Sequence, residues 1–224
     1  MRISALPTCW ANILTAFWLC GGANKYDLLA MLLFVSSCFY LGGMVLNDVC
    51  DAKIDAVERP ERPIPSGQVV LPRATLISKV FLIQGASFAV ALGVFIKSEV
   101  VLVAGLALLA CVLSYNFVLK RIPIIGPITM GLCRFFNILM VSFAVGGGVS
   151  VYAVSVFAYI TAVTILSGYE TQSIFVRKMV GIGLSSVILI DAVWCFVDVD
   201  VVPALCVFAL YPVTMGLRRI VSMT

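Results

Sequence analysis

Asn47, Asp48, Asp51 and Asp55 fall close together at the end of a long apolar run, in a 224-residue chain that has only 11 acidic residues. On a helix the three aspartates stand at i, i+3 and i+7, so they share one face. Three carboxylates on one face repel one another unless a cation lies between them. Asn47, four residues before Asp51, adds an uncharged oxygen. An all-oxygen set of this kind suits Mg²⁺, which binds through one or two carboxylates, waters and substrate phosphates. The alternative is a solvated helix end that carries acidic residues without using them. A basic, proline-rich segment follows at once, and this favours a metal–diphosphate site in which Asp48, Asp51 and Asp55 are the metal ligands.

That segment reads Glu58-Arg59-Pro60-Glu61-Arg62-Pro63-Ile64-Pro65-Ser66-Gly67. Arg59 and Arg62 suit phosphate oxygens, because a guanidinium can bind two at once. The prolines predict an extended connection, running from Val49 to about Pro72. Lys120 and Arg121 end the fourth apolar run and are either interfacial anchors or further diphosphate ligands. Arg134 falls inside the fifth run. A charge at the centre of a bilayer costs about 2.5–3.5 kcal/mol on insertion scales, so it is expected to face a cavity or a partner. Asn137, three residues on, shares its face. The sixth run ends in Ser167-Gly168-Tyr169-Glu170. Glu170 is the best candidate there for a catalytic carboxylate. Asp191, within the seventh run, is either a cavity residue or a hydrogen-bond partner for a neighbouring helix. Asp198 and Asp200 read as a solvated outer loop.

These residues need a membrane scaffold. The chain is 62% hydrophobic and 12% charged, where a soluble domain has about a quarter of its residues charged. Eight apolar runs approach the length needed to cross about 30 Å of hydrocarbon. They are Leu6–Gly22, Tyr26–Leu46, Ala74–Ile96, Val100–Leu119, Pro127–Gly146, Val151–Ser167, Met179–Phe196 and Val201–Leu217. The first can also be read as a signal peptide, since Arg2 precedes it. The fold class is therefore all-α: one polytopic transmembrane bundle of about eight spans over residues 1–224, with Arg134 and Asn137 expected to line a central cavity. Basic residues alternate between connections, with Lys53, Arg59, Arg62, Arg73, Lys79, Lys120, Arg121, Arg177 and Lys178, plus Arg2, Arg218 and Arg219, on one set and only Lys25 and Lys97 on the other. The positive-inside rule places both termini and the acidic motif in the cytoplasm, in the inner membrane if the source is bacterial. The net charge of +4 reflects this orientation, and no aromatic-interleaved basic patch points to nucleic acid. The eight cysteines form no C-x-x-C pair, and there is no histidine. Disulfide frameworks, zinc sites and every Ser-His-Asp arrangement are thereby set aside.

The pattern Asn47-Asp48-x-x-Asp51-x-x-x-Asp55, followed by Arg59 and Arg62-Pro63-Ile64-Pro65-Ser66-Gly67, resembles the UbiA superfamily of membrane prenyltransferases. Pro7 to Asn12, Tyr115 to Arg121 and Arg134 to Asn137 match that family in type and order. The resemblance implies a helical bundle, usually of nine spans, whose cytoplasmic loops cap a cavity. It implies two acidic motifs that hold Mg²⁺ and an isoprenyl diphosphate, and transfer of the prenyl group to an aromatic or other lipophilic acceptor. Asn47, Arg59, Arg62, Lys120, Arg121, Arg134 and Asn137 would then bind the diphosphate, with membrane lipids around the bundle. The second motif departs from the family: it holds Glu170 alone, as in a branch where a Ser-x-Gly-Glu-type segment replaces it. A non-catalytic carrier of an isoprenoid is the rival expectation.

Overall fold

The longest helix carries the acidic motif, and its length follows from what it lacks. No proline interrupts the chain between Tyr26 and Glu58, and helix α2 occupies that whole stretch in the computed structural model, which describes residues 5–169 and 174–221. The helix stops where Pro60 disfavours helical backbone at the preceding residue, Arg59, whose φ is −147° and ψ 63°. Among the described residues the other helices are α1 Leu6–Leu19, α3 Leu71–Phe95, α4 Glu99–Phe117, α5 Ile125–Val145, α6 Val151–Ser167, α7 Ile174–Asp198, α8 Val201–Phe208 and α9 Leu210–Val221. A short 3₁₀ turn, Leu119–Arg121, links α4 to α5. Every regular element among the described residues is helical, as expected of an all-α membrane bundle.

Local signals set most helix starts. Pro7 and Pro72 sit in the first turns of α1 and α3, where a missing N–H costs nothing. The hydroxyls of Ser98 and Ser150 accept from the backbone N–H of Val101 and Ala153, capping α4 and α6. Asp200 caps α8 in the same manner, through the Val201 N–H.

Two expectations are corrected. The connection after the acidic motif does not begin at Val49, because α2 continues to Glu58. Nor is it extended. Its backbone folds into consecutive turns, with Arg62 N–H bonded to Arg59 O, Ser66 N–H to Arg62 O and Val69 N–H to Pro63 O. Proline fixes only φ, and a φ near −65° suits turns as well as extended chain. The eighth run, expected as one span, is broken at Ala209 into α8 and α9. Pro212 is the reason: its ring removes an N–H and meets the carbonyl of Phe208, four residues back.

Among the described residues, five helices are long and apolar enough to cross a membrane: α2, α3, α4, α5 and Lys178–Asp198 of α7. The chain is an integral membrane protein. α1 is shorter but is a wall of the bundle, packed against α2, α5 and α7 with most of its residues buried. The core is continuous from Ile13 and Phe17 of α1 through Leu32 and Phe39 of α2 to Ile138 and Val141 of α5 and Tyr152 and Val156 of α6. In lipid this packing rests on van der Waals fit and small contact residues, since the surroundings are as apolar as the core. At one end, Lys25 between α1 and α2 donates to Val145 O at the C-terminus of α5, 2.7 Å away. The acidic motif lies at the other end.

Close helix approach at Gly131 yields a test. A Cβ there would lie 2.8 Å from the Phe157 backbone oxygen of α6, whereas a Cβ on Gly148 would meet nothing within 4 Å. Gly131→Ala is expected to destabilise the bundle by about 1–3 kcal/mol through overpacking. Gly148→Ala should change little. Thermal unfolding in detergent micelles compares the two.

Candidate functional site

The three aspartates of α2 share a face, and each already has a cation within reach. Arg62 Nη1 donates to Asp55 Oδ2 at 2.6 Å and stands 3.8 Å from Asp48 Oδ1. Lys120 Nζ lies 2.5 Å from Asp51 Oδ1 and 3.4 Å from Asn47 Oδ1. The turns of residues 59–69 bring Arg62 back onto the helix end that precedes it. The 3₁₀ turn brings Lys120 across from α4. Asp55 is buried, with its side chain only 6% exposed. A pair so placed is screened less than an exposed one.

A cavity of about 260 Å³ opens beside this cluster, between α1, α2, α4, α5, α6 and α7. Asn47 and Asp48 line its polar end. Arg134 and Asn137 also line it, as do Tyr40, Tyr115 and Asn116. Phe39, Leu108, Val112, Met130, Ile160 and Leu184 supply apolar walls. Asp51, Asp55, Arg59, Arg62, Lys120 and Arg121 do not line it. They sit outside its mouth: Arg59 ends α2, and Arg121 is exposed. Glu170 lies outside the described residues.

Arg134 is held from three sides. Its Nη1 donates to Asn12 Oδ1 and its Nη2 to Thr8 Oγ1, each at 3.0 Å. Its guanidinium carbon stands 5.7 Å from the centre of the Tyr40 ring, within cation–π range. Asn12 turns its other face to α7, with Nδ2 donating to Asp191 Oδ2 at 2.8 Å. Tyr152 of α6 donates its hydroxyl to Asp191 Oδ1 at 2.9 Å. One amide thus bridges a cation and a carboxylate, and Asp191 is fully buried. Of the two roles expected for Asp191, hydrogen bonding between helices is the one the structure shows. Asn137 is set by Ser36 Oγ, which donates to its Oδ1 at 2.8 Å.

Spacing alone does not single out Asn12, Tyr152 or Asn116. Asn12 is the one with a signal, an amide in an otherwise apolar helix. Tyr152 has none, since tyrosine is common near membrane interfaces.

The motif's donors are carboxylate and amide oxygens, the chemistry a hard cation prefers. Among the described residues, no group of three or more carboxylate, thiol or imidazole side chains is drawn together tightly enough to hold an ion. Arg62 and Lys120 occupy the carboxylates instead. The donor set fits Mg²⁺ in kind, with these two cations in the place where its charge would act.

A family model described as the UbiA prenyltransferase family matches residues 4–219. A digeranylgeranylglyceryl phosphate synthase of Sulfolobus acidocaldarius is 33% identical over 45% of this chain and 34% of its own length. Its counterpart from Methanopyrus kandleri is 34% identical over 46% of this chain and 38% of its own. That of Methanobrevibacter smithii is 26% identical over 68% of this chain and 54% of its own. The chain thus spans from about a third to about half of the length of these curated relatives. No solved structure matches.

The buried bridge can be probed by stability. Asp191→Leu removes the near acceptor of Asn12 Nδ2 and of the Tyr152 hydroxyl, leaving each only a 3.4 Å contact with the other residue. It is expected to cost about 1–3 kcal/mol. Ser186→Ala, on an exposed hydroxyl of the same helix, should be nearly neutral. Melting temperatures of both variants in micelles compare them.

Proposed function

The chain belongs to the UbiA prenyltransferase family, and from that premise we propose that it is an intramembrane prenyltransferase. It would move an isoprenyl group from a prenyl diphosphate to a lipophilic or aromatic acceptor. The observation that carries this reading is the cavity itself. It joins the Asn47–Asp48 end of the acidic motif to Arg134 and Asn137, with apolar walls between. Such a space suits a ligand with a charged head and a hydrocarbon tail.

Asp48, Asp51 and Asp55, with Asn47 as a neutral oxygen, would hold Mg²⁺, which when bound supplies positive charge against the diphosphate. In this proposal Arg62 and Lys120 exchange partners. They now neutralise the carboxylates, and a diphosphate at the mouth offers them a denser negative charge. Arg62 would grip two oxygens at once, and Lys120 would act as a point charge beside it. Arg59 and Arg121, at the same end, add to the field. Arg134 faces the cavity and would stabilise negative charge as the bond between the prenyl carbon and the diphosphate oxygen breaks. Its links to Asn12 and Thr8 keep it fixed while this happens. The apolar walls exclude water from the allylic cation. Glu170 is the proposed acid–base partner of the acceptor. The basic connections that share the motif's end support a cytoplasmic mouth and cytoplasmic termini, in the inner membrane if the source is bacterial.

Membranes containing the protein, given radiolabelled prenyl diphosphate with and without Mg²⁺, test the reading. Metal-dependent release of diphosphate or labelling of a lipophilic acceptor supports it; saturable binding without turnover would make the chain a carrier. Asp51→Asn should abolish metal-dependent binding of a non-hydrolysable analogue by calorimetry. Glu170→Gln should lower turnover by about 100-fold or more, the scale of removing one transition-state group, while leaving binding largely intact. Equal loss of affinity in both variants would make Glu170 a metal ligand in full.

A further inference from the structure

One buried polar atom on a cavity-lining residue has no partner among the described residues. Asn116 is only 4% exposed and lines the cavity, and none of their donors reaches its Oδ1. Its orientation is set by chemistry. Nδ2 donates to Val112 O, one turn back on α4, at 2.8 Å and reaches toward Gly43 O of α2 at 3.5 Å. Turning the amide over would point its oxygen at two carbonyl oxygens, so the acceptor must face away from them. Helix α4 comes this close because residue 43 is glycine: a Cβ there would lie 3.0 Å from Val112 Cγ1. Other polar groups along the cavity are engaged. Asn47 Oδ1 accepts from Lys120, Asn137 Oδ1 from Ser36, and Arg134 donates to Asn12 and Thr8.

The missing partner must be a donor. An ionised diphosphate has only acceptor oxygens and repels an amide oxygen. Depth argues against the metal. Gly43 lies five residues before Asp48 on α2, about 7.5 Å further into the bundle at 1.5 Å per residue. Asn116 therefore sits below the carboxylates, beside Val112 and Leu108, where the walls turn apolar. Resting on the prenyltransferase reading above, we infer that Asn116 Oδ1 receives a hydrogen bond from the prenyl acceptor, and that this acceptor carries a hydroxyl or N–H group on a lipophilic body. Asn116 is then a specificity-determining contact. It orients the donor-bearing end of the acceptor toward Arg134 and the leaving diphosphate. An amide oxygen is too weak a base to take the proton, so its role is to position and select.

The test uses full-length protein in nanodiscs and two probes that differ in one hydrogen-bond donor, 4-nonylphenol and 4-nonylanisole. Binding is measured without Mg²⁺ or prenyl diphosphate, so its outcome does not depend on turnover. The wild type should prefer the phenol by about ten-fold or more, because a site built around a donor rejects the analogue that lacks it. Asn116→Leu should erase the preference by weakening the phenol alone. Asn116→Thr should restore part of it, since a threonine hydroxyl can donate to Val112 O and still offer lone pairs to the cavity. Both variants are first checked for wild-type melting temperature. Equal affinity of the wild type for the two probes would overturn the inference and mean that water satisfies Oδ1. Loss of Mg²⁺-dependent diphosphate binding in Asn116→Leu, with the phenol preference intact, would also overturn it by making Asn116 a metal-site residue. Clear preference in a protein that transfers no prenyl group would sustain the contact and remove the enzyme.

Discussion

A guanidinium inside a bilayer must be paired or reach water, and Arg134 constrains the arrangement around the cavity accordingly. Its partners come from α1 and α2, and through Asn12 the chain of bonds extends to Asp191 on α7 and Tyr152 on α6. Five helices are thus referred to one charge. In an apolar medium, shape alone leaves helices free to rotate or slide at little cost, because lipid packs against them almost as well as protein does. A network of directional bonds has few equivalent alternatives. It fixes which faces of α1 and α7 look inward, and so where the cavity lies.

The acidic end works differently. Its pairs, Arg62 with Asp55 and Lys120 with Asp51, lie where the bundle meets water. Each cation arrives from a different connection, one after α2 and one after α4. The loops are thereby fastened over the cavity mouth through charges that a diphosphate can also attract. Arg134 and the mouth cations are in this sense opposites: one is locked into the scaffold, the others are bound to groups with which a diphosphate would compete.

Much of this was legible in the residues. The i, i+3, i+7 spacing puts the aspartates on one face because helix geometry leaves no other arrangement. Membrane cost alone turns Arg134 inward. What resisted reading was partnership. Arg62 and Lys120 look like phosphate ligands, yet in the protein alone they turn to the nearest carboxylates, since a charge takes the counterion available. The bond from Asn12 to Asp191 joins residues 179 apart, and no local pattern announces such a contact. The proline-rich connection misleads for another reason: a fixed φ is shared by extended and turn conformations, and only ψ separates them. Pro212 leaves no mark in hydropathy, because the apolar run around it is continuous, while the break it causes is a matter of backbone geometry.

Helix α2 has a consequence of its own. At about 1.5 Å per residue its 33 residues make a rod of about 50 Å, some 20 Å longer than a hydrocarbon core. No proline or irregular turn divides the part in lipid from the part that bears Asp51 and Asp55. The rod therefore tilts as one body. A bilayer that thins or thickens by a few ångströms changes the tilt of a span at modest cost. Here any such change swings the carboxylates relative to Lys120, which is carried by a different helix. Hydrophobic mismatch thus becomes a term in the geometry of the cavity mouth, and the host membrane's lipid composition is coupled to how tightly that mouth is held.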